Sequence, residues 1–270
     1  MLPIELILVR HGQSEGNVAD KASGKGDNRF FTPAFRERHS RSFRLTDLGI
    51  QQAKAAGQWL RDNVPMPLDR FYVSDYIRAR ETAAYLGLPG AKWEAKFQLR
   101  ERDKGLMDNC PADEQRRLFK LTERQHRLDR FLVYPAGGGE SFPLLCLRLK
   151  TYILTHLEKE YPDMDQRVII VCHGDVIRAF QMELEDLGHD DFIRLDSSSD
   201  PADRILTCQI LWYSRRYHDN PLEISPEFVA VRSVCAHGLT GDYGWRPINR
   251  STQTNEQLLE EVSTYPRHIR

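Results

Sequence analysis

The residues best suited to chemistry follow a short apolar run near the start of the chain. Leu6 to Val9 is uninterrupted by polar residues and predicts a buried strand, which stops at Arg10-His11-Gly12. A guanidinium, an imidazole and an unhindered backbone amide therefore follow the carboxyl end of a strand, where open α/β sheets bind ligands. On local grounds alone, His11 could equally be a strand-end histidine that is hydrogen-bonded to a neighbouring carbonyl.

Two further apolar runs end in residues of the same kind. Phe71 to Val73 leads into Ser74 and then Arg78, and Val168 to Val171 leads into Cys172-His173-Gly174. If these strands are parallel neighbours, their carboxyl ends meet at one edge of the sheet. The sequence therefore predicts that His11, His173 and two arginines share one crevice.

This set of side chains suits phosphate better than a metal ion. Arginines repel a cation, and the chain has no H-E-x-x-H pattern or other histidine spacing that is typical of metal ligation. Guanidinium groups match phosphoryl oxygens in a bidentate manner, and a neutral imidazole can attack phosphorus to form a covalent intermediate. The residues thus favour phosphoryl transfer without a metal.

Six motifs occur in a fixed order along the chain and carry a resemblance to a known family. They are Arg10-His11-Gly12-x-Ser14-x-x-Asn17, Thr46-x-x-Gly49-x-Gln51-x-Ala53, Ser74-Asp75-x-x-Arg78-Ala79-x-x-Thr82-Ala83, Leu99-x-Glu101-Arg102, Gly139-Glu140-Ser141 and His173-Gly174. Over about residues 4–213 the chain resembles the histidine phosphatase superfamily, which includes the cofactor-dependent phosphoglycerate mutases.

The resemblance implies a fold, a reaction and a set of site residues. The expected fold is a three-layer α/β/α arrangement with a mixed, mostly parallel sheet and helices on both faces. No cofactor and no metal is expected. His11 is similar to the nucleophile that becomes phosphohistidine, and Glu101 to the proton donor for the leaving group. The expected substrate-binding residues of the phosphate pocket are Arg10, Asn17, Arg78, His173 and Gly174.

Several other residues compete for these roles. Glu101 lies among charged neighbours, so a surface ion pair is an alternative, and Asp103 could be the acid in a shifted register. Arg80 could replace Arg78, although it falls two positions away from the family pattern. We interpret His39 as a surface histidine and His237-Gly238 as an accidental imitation of the motif, because no arginine precedes it.

The departures from the mutase pattern favour a phosphatase. Mutases of this family usually carry tryptophan where this chain has Gly16, and asparagine where it has Asp175. The segment between Glu101 and Gly139 is also long. We therefore expect a phosphomonoesterase acting on a small phosphorylated metabolite. The alternatives are a phosphomutase and a non-catalytic phosphate-binding regulatory module.

Length and composition describe an ordinary globular protein. The 270 residues predict a single domain over 1–270, with insertions at about 18–45 and 103–138 and an extension at about 214–270. The net charge of −1 argues against nucleic acid or an acidic membrane as partner, and no apolar stretch reaches membrane-span length. Five scattered cysteines predict reduced thiols and a cytoplasmic protein. The oligomeric state stays open, with a homodimer as one candidate.

The first insertion is basic. Residues 18–45 hold seven Lys or Arg against three acids, a local charge of +4. Such a segment beside the first motif could attract an anionic substrate, and the alternatives are a solvated loop or an oligomer contact. We expect at least one of four arginines to contact the substrate beyond its transferred phosphate: Arg36, Arg38, Arg41 and Arg44.

Periodicity predicts the remaining elements. Thr46 is a plausible N-cap of a helix that runs to about Arg61. Residues 113–130 read as helical, with Leu118, Leu121 and Leu128 directed inward. Strands are expected at 206–213 and 228–234, followed by a turn-rich tail with a helix at about 256–262.

Overall fold

One sheet organises the chain. The computed structural model describes residues 2–158, 166–217, 220, 222–237, 241–250 and 252–269. Within these ranges, seven strands form one sheet: β1 (Glu5–Arg10), β2 (Arg70–Ser74), β3 (Trp93–Lys96), β4 (Arg167–Cys172), β5 (Gln209–Ser214), β6 (Ala230–Cys235) and β7 (Gly241–Pro247). Their order is β3-β2-β4-β1-β5-β6-β7. The pairings from β3 to β1 are parallel and those from β1 to β7 are antiparallel.

The central strand β1 is buried on both faces because its residues are apolar without alternation. Leu6 and Leu8 pack into one core cluster, and Ile7 and Val9 pack into another on the opposite face. The first cluster lies under helices that follow residue 141, and the second lies under helices between residues 47 and 86. This arrangement confirms the predicted three layers with helices on both faces.

Helices connect the strands and cover the sheet. The α-helices of the described chain are α1 (Glu15–Ser23), α2 (Pro33–Arg36), α3 (Asp47–Asn63), α4 (Ile77–Leu86), α5 (Ala112–Leu118), α6 (Lys120–Leu128), α7 (Phe142–Tyr152), α8 (Gly174–Glu185), α9 (His189–Ser197) and α10 (Asn255–Ser263). A π-helical turn (Ile153–Leu157) continues α7, and short 3₁₀ turns occur at Ser40–Ser42, Phe97–Leu99, Gly105–Met107 and Pro201–Asp203. No helix in the described ranges is both long and apolar enough to span a membrane.

The predicted start of α3 is confirmed, and its packing explains one glycine. Thr46 accepts a hydrogen bond from the amide of Gly49 at 3.1 Å, which satisfies an otherwise unpaired helix N-terminal donor. Further along α3, a Cβ on Gly57 would lie 2.0 Å from the carbonyl oxygen of Leu86, at the end of α4. The two helices can therefore approach this closely only because residue 57 has no side chain.

The inward orientation predicted for three leucines is wrong. Leu118, Leu121 and Leu128 are 52%, 78% and 78% exposed. The helical period was correct, but Phe119 interrupts it between α5 and α6, and no layer of the sheet covers this surface. Periodicity identifies an apolar face without showing whether a partner covers it.

The extension after residue 213 contributes to the sheet. The strand predicted at 228–234 is β6, and β7 continues the sheet from a segment that the sequence suggested was only turn-rich. Likewise, α1 extends from residue 15 into the segment taken as the first insertion. Both regions therefore contain more helix or strand than their amino-acid composition indicated.

Candidate active site

The three predicted strand ends meet at one edge of the sheet. β2, β4 and β1 are adjacent and parallel, so residues after Ser74, Cys172 and Arg10 come together. The ring centroids of His11 and His173 are 5.1 Å apart, and both side chains are buried. The predicted crevice is thus present in the fold.

Both ring nitrogens of His11 have defined partners. Nδ1 lies 2.7 Å from the carbonyl oxygen of Gly12, and Nε2 lies 3.1 Å from the Nε–H of Arg78. A carbonyl oxygen only accepts and a guanidinium only donates, so Nδ1 carries the proton and Nε2 carries the lone pair. Burial, assisted by Arg78 and Arg10, holds the pKa of His11 well below its usual range. The imidazole is therefore neutral and presents an unprotonated Nε2.

The turn after β1 is fixed by close packing with neighbouring elements. A Cβ on Gly12 would lie 2.4 Å from the carbonyl oxygen of Gly49, so the two backbones can touch only with glycine at residue 12. The amide of Gly12 donates to Thr82 Oγ1 at 3.0 Å, and that hydroxyl donates to the carbonyl of Arg78 at 2.7 Å. Thr82 therefore links the nucleophile turn to the helix that carries Arg78.

Two buried guanidinium groups flank His11. Arg10 donates from Nη1 to the carbonyl of Ile205 at 2.6 Å, whereas its buried Nε has no hydrogen-bond partner among the described residues. Arg78 donates from Nη1 to the carbonyl of Ser40 at 2.8 Å and lies over the ring of Tyr76. Burial lowers the pKa of both groups, yet arginine starts so high that both stay charged.

His173 is held by β2 and faces Glu101. Its Nε2 lies 2.8 Å from Ser74 Oγ, and its Nδ1 lies 4.0 Å from Glu101 Oε2. That Nδ1 is buried without a hydrogen-bond partner in the described chain. Burial, followed by Arg78, lowers the pKa of His173 well below its usual range. A neutral ring with one uncommitted nitrogen is thus left beside His11.

Glu101 is the carboxyl group of the crevice. Its Oε1 accepts from the amide of Arg102 at 3.1 Å. Burial and then the negative charge of Asp175 raise the pKa of Glu101, while Arg78 and Arg10 oppose that shift. The alternative acid, Asp103, is exposed and caps the amide of Gly105 at 2.7 Å. Of the two carboxyls, the geometry favours Glu101.

The other predicted binding residues are at the same cavity. Asn17 and Ser14 form a capping box at the start of α1, and both line the cavity. Gly174 begins α8, where a Cβ would lie 3.3 Å from the Arg10 guanidinium. A side chain at residue 174 would therefore crowd Arg10.

The competing residues are placed differently. Arg80 is exposed and does not line the cavity. His39 is exposed, as expected of a surface histidine, although its ring does reach the cavity wall. His237 bonds to the carbonyl of Thr207 at 2.7 Å, away from the cavity, and Gly238 lies outside the described residues.

Three side chains could geometrically hold a cation. One ligand atom each from His11, Glu101 and His173 lie within 4.8 Å of one another. The guanidinium groups of Arg10 and Arg78 contribute two positive charges beside them, and both lower the pKa of the histidines. Electrostatics therefore favours an anion at this position over a metal ion.

The two predicted insertions bind each other above the site. Their contacts include Asn28 Nδ2 to Asp113 Oδ1 at 2.8 Å, the amide of Ala112 to Ser23 Oγ at 2.8 Å, and the ion pair of Arg36 with Glu114 at 3.0 Å. We call residues 18–45 and 103–130 together the roof. The roof and the strand ends line part of an open cavity of about 780 Å³.

Four of the seven Lys and Arg in residues 18–45 form ion pairs: Arg29, Arg36, Arg38 and Arg44. Besides the Arg36 pair, Arg38 lies 3.1 Å from Glu15 and Arg44 lies 2.5 Å from Glu81. None of these arginines, nor Arg41, lines the cavity. The +4 charge of the segment is thus largely offset by acids of other elements. A substrate contact by one of the four arginines stays a prediction.

Comparison with known proteins agrees with this geometry. The family model of the histidine phosphatase superfamily (branch 1) matches residues 6–203. A 2,3-bisphosphoglycerate-dependent phosphoglycerate mutase of Brucella melitensis is 33% identical over 186 residues, covering 67% of this chain and 82% of the relative. The corresponding enzyme of Allorhizobium ampelinum is 31% identical, covering 67% and 80%.

Solved structures share the fold at lower identity. The mycobacterial glucosyl-3-phosphoglycerate phosphatase in complex with VO3 superposes with a TM-score of 0.57 at 22% identity, covering 90% of this chain and 96% of that one. Bacillus stearothermophilus YhfR gives a TM-score of 0.60 at 21% identity, covering 82% and 95%. Together with the family match over residues 6–203, these findings show that the chain belongs to the histidine phosphatase superfamily.

Proposed function

We propose that this protein is a phosphomonoesterase that hydrolyses a small phosphorylated metabolite through a phosphohistidine on His11. The observation that carries the proposal is the state of that ring: Nδ1 is bound to the Gly12 carbonyl, so Nε2 presents its lone pair between two guanidinium groups. Such an atom can attack phosphorus without first losing a proton.

The chemistry needs few groups, and the crevice supplies each of them. In the first step, His11 Nε2 forms a bond to phosphorus, the ester P–O bond breaks, and Glu101 gives its proton to the departing alkoxide. In the second step, water attacks the phosphohistidine, Glu101 takes a proton from that water, and the P–N bond breaks to release phosphate. Arg10 and Arg78 stabilise the charge on the phosphoryl oxygens, and so does His173 when Ser74 Oγ–H donates to its Nε2 and its Nδ1–H is free to donate.

Two departures from the mutase pattern support hydrolysis. A Cβ on Gly16 would lie 2.9 Å from the ring of Phe43, so a roof residue occupies the space beside the position where mutases carry tryptophan. Asp175 stands where mutases have asparagine, and it pairs with Arg102 at 2.8 Å. Arg102 is therefore already paired and offers little attraction to the carboxylate of a phosphoglycerate.

A phosphomutase is the second candidate, because the curated relatives at 31–33% identity are phosphoglycerate mutases. The two reactions share the phosphohistidine and differ in the fate of the phosphoryl group. In the test, the protein is incubated with 3-phosphoglycerate, with and without a trace of 2,3-bisphosphoglycerate as primer. The products measured are inorganic phosphate and 2-phosphoglycerate. Hydrolysis of p-nitrophenyl phosphate is measured in parallel. Phosphate release from p-nitrophenyl phosphate without primer, and no isomerisation, is expected. Primer-dependent isomerisation faster than phosphate release would reverse the assignment.

A further inference from the structure

The cavity is larger than the phosphoryl site requires. Its volume of about 780 Å³ lies in the ~300–1,000 Å³ range of pockets that enclose drug-sized ligands. A phosphate and a three-carbon body would fill only a small part of that space. The remaining space is bounded by the roof on one side and by α8, α9 and residues 204–206 on the other.

Beyond the phosphoryl end, the charges of the cavity wall balance. Apart from Arg10, Arg78 and Glu101, the described lining residues include five cations and five carboxylates: Arg102, Lys104, Arg130, Arg178 and Arg204 against Asp20, Asp103, Asp108, Asp175 and Asp196. The positive charge of the site is therefore concentrated where the transferred phosphate binds.

Most of the outer cations are also engaged within the protein. Arg102 pairs with Asp175 at 2.8 Å, Arg130 with Asp196 at 2.6 Å, and Lys104 with Asp20 at 3.8 Å. A second anionic group on the substrate would have to compete with these carboxylates. Such competition costs much of the attraction that a free cation would offer.

Arg178 and Arg204 complete the cationic side of the wall. Arg178 is buried and donates to Gln181 Oε1 and to the carbonyl of Asp203, both at 2.5 Å. Arg204 is exposed, and the described chain gives its side chain no hydrogen bond or ion pair. It is therefore the residue through which a second anion would most readily bind.

Besides these ions, the wall offers hydrogen-bond acceptors and hydroxyl groups. Asp108 is half-buried in the roof, and its carboxylate has no hydrogen-bond or ion-pair partner among the described side chains. Ser197, Ser198 and Ser199 line the same cavity. The Ser197 hydroxyl donates to the carbonyl of Ile193 and Ser198 Oγ accepts from the amide of Asp200, whereas the side chain of Ser199 has no hydrogen bond among the described residues. A carboxylate can accept two hydroxyl protons at once, and serine both donates and accepts. These groups are suited to alcohols.

We propose that the natural substrate is a phosphate monoester of a neutral, hydroxyl-rich body of about monosaccharide size, and that Asp108 accepts hydrogen bonds from its hydroxyl groups. The proposal rests on the phosphatase activity proposed above. It predicts that bisphosphates and phosphorylated carboxylic acids are not preferred substrates, because the outer wall has no net positive charge and most of its cations are already engaged within the protein.

The test compares primary alkyl phosphates, whose leaving groups are alike and whose bodies differ. The kcat/KM is measured for glycerol 3-phosphate, glucose 6-phosphate, 3-phosphoglycerate and fructose 1,6-bisphosphate, with p-nitrophenyl phosphate as the activity reference. Glucose 6-phosphate should exceed each of the other three alkyl esters about tenfold or more. Equal or better turnover of 3-phosphoglycerate or the bisphosphate overturns the inference while leaving the phosphatase assignment intact. Failure to release phosphate even from p-nitrophenyl phosphate refutes the phosphatase assignment instead.

Three variants make the comparison specific. Asp108→Asn should lower kcat/KM for glucose 6-phosphate about tenfold more than kcat/KM for p-nitrophenyl phosphate, as expected for a lost charge-assisted hydrogen bond to a hydroxyl group. Asp190→Asn is the matched control, because Asp190 is exposed at the start of α9 and does not line the cavity. A uniform loss across substrates, or no loss on glucose 6-phosphate, contradicts the role of Asp108. If the unaltered protein prefers the bisphosphate and Arg204→Gln abolishes that preference, the body of the substrate is anionic and the proposal is overturned.

Discussion

Each ionisable residue of the crevice is held in a protonation state by its neighbours. The Gly12 carbonyl and Arg78 define the tautomer of His11, and Ser74 holds one nitrogen of His173. The hydrogen bond from His11 to a neighbouring carbonyl was, at the sequence level, the alternative to a catalytic role. The two interpretations are compatible, because that bond leaves the opposite nitrogen unprotonated.

Glu101→Gln should reduce turnover of alkyl esters much more than turnover of aryl esters. The amide keeps the shape of the side chain but cannot donate the proton that an alkoxide needs, and general acid catalysis is worth ~10²–10⁴-fold. The measurement is kcat/KM for glycerol 3-phosphate and p-nitrophenyl phosphate, and p-nitrophenyl phosphate should lose less than tenfold. Asp103→Asn is the control and should leave the ratio unchanged. Equal losses on both substrates would indicate that Glu101 binds rather than protonates.

The pH profile should report the raised pKa of Glu101. The acid must be protonated to donate, so kcat/KM for an alkyl ester is lost as pH rises through that pKa. Burial and Asp175 raise it, whereas Arg78, Arg10 and the Arg102 amide lower it.

Asp175→Asn removes one raising charge and should therefore move the alkaline limb for glycerol 3-phosphate to lower pH, with little effect on p-nitrophenyl phosphate. The surface variant Asp190→Asn should leave both limbs in place. An alkaline limb that stays fixed or moves to higher pH in Asp175→Asn would show that Asp175 does not set the pKa of the acid.

Sequence reasoning found the residues of the crevice where the information is local. Arg10, His11 and His173 directly follow apolar runs, and parallel strands bring such ends together. The carbonyls of Ser40 and Ile205, which accept hydrogen bonds from the two arginines, could not be predicted. Every residue type has a backbone carbonyl, so the sequence does not show which one accepts. Thr82 was visible within a motif, but its link to Gly12 depends on the packing of α4 against the β1 turn.

At the level of elements, the buried strands and the exposed helix α10 were predictable, whereas β7 and the packing of α5 and α6 were not. A continuous apolar run such as Val168 to Val171 can be satisfied only inside a sheet with both faces covered. The leucines of α5 and α6 carry the same period as a packed helix, yet α5 contacts α1 and the loop that follows it through polar groups. The local pattern of apolar residues does not show which element a helix packs against.

The close approach of α3 and α4 gives a stability prediction. Gly57→Ala places a methyl group 2.0 Å from the Leu86 carbonyl oxygen, which is backbone and cannot rotate away. We expect the free energy of unfolding in urea to fall by about 1–3 kcal/mol, the usual cost of overpacking. Gly24→Ala is the matched control, because its Cβ would meet no atom nearer than 3.4 Å. Equal stability of the two variants would mean that α3 and α4 can separate without cost.

For the molecule as a whole, the balance of charge differs between the surface and the cavity. The chain is nearly neutral, and the basic first insertion is largely paired with acids of other elements. The two arginines that remain directed at the site donate only to carbonyl oxygens and to His11. The excess positive charge of the cavity therefore lies at Arg10 and Arg78, and the rest of the cavity wall is neutral.

The most direct test of this account is to trap the phosphoenzyme. The protein is mixed with ³²P-labelled p-nitrophenyl phosphate, quenched in alkali within the first turnovers, and the label is located by peptide mapping. Label should appear on the peptide that contains His11, should be stable in alkali and labile in acid, and should be absent from His11→Ala. His268→Ala, in the exposed tail, should label like the unaltered protein. Label that persists in His11→Ala, or its absence from the unaltered protein during turnover, would contradict the phosphohistidine mechanism.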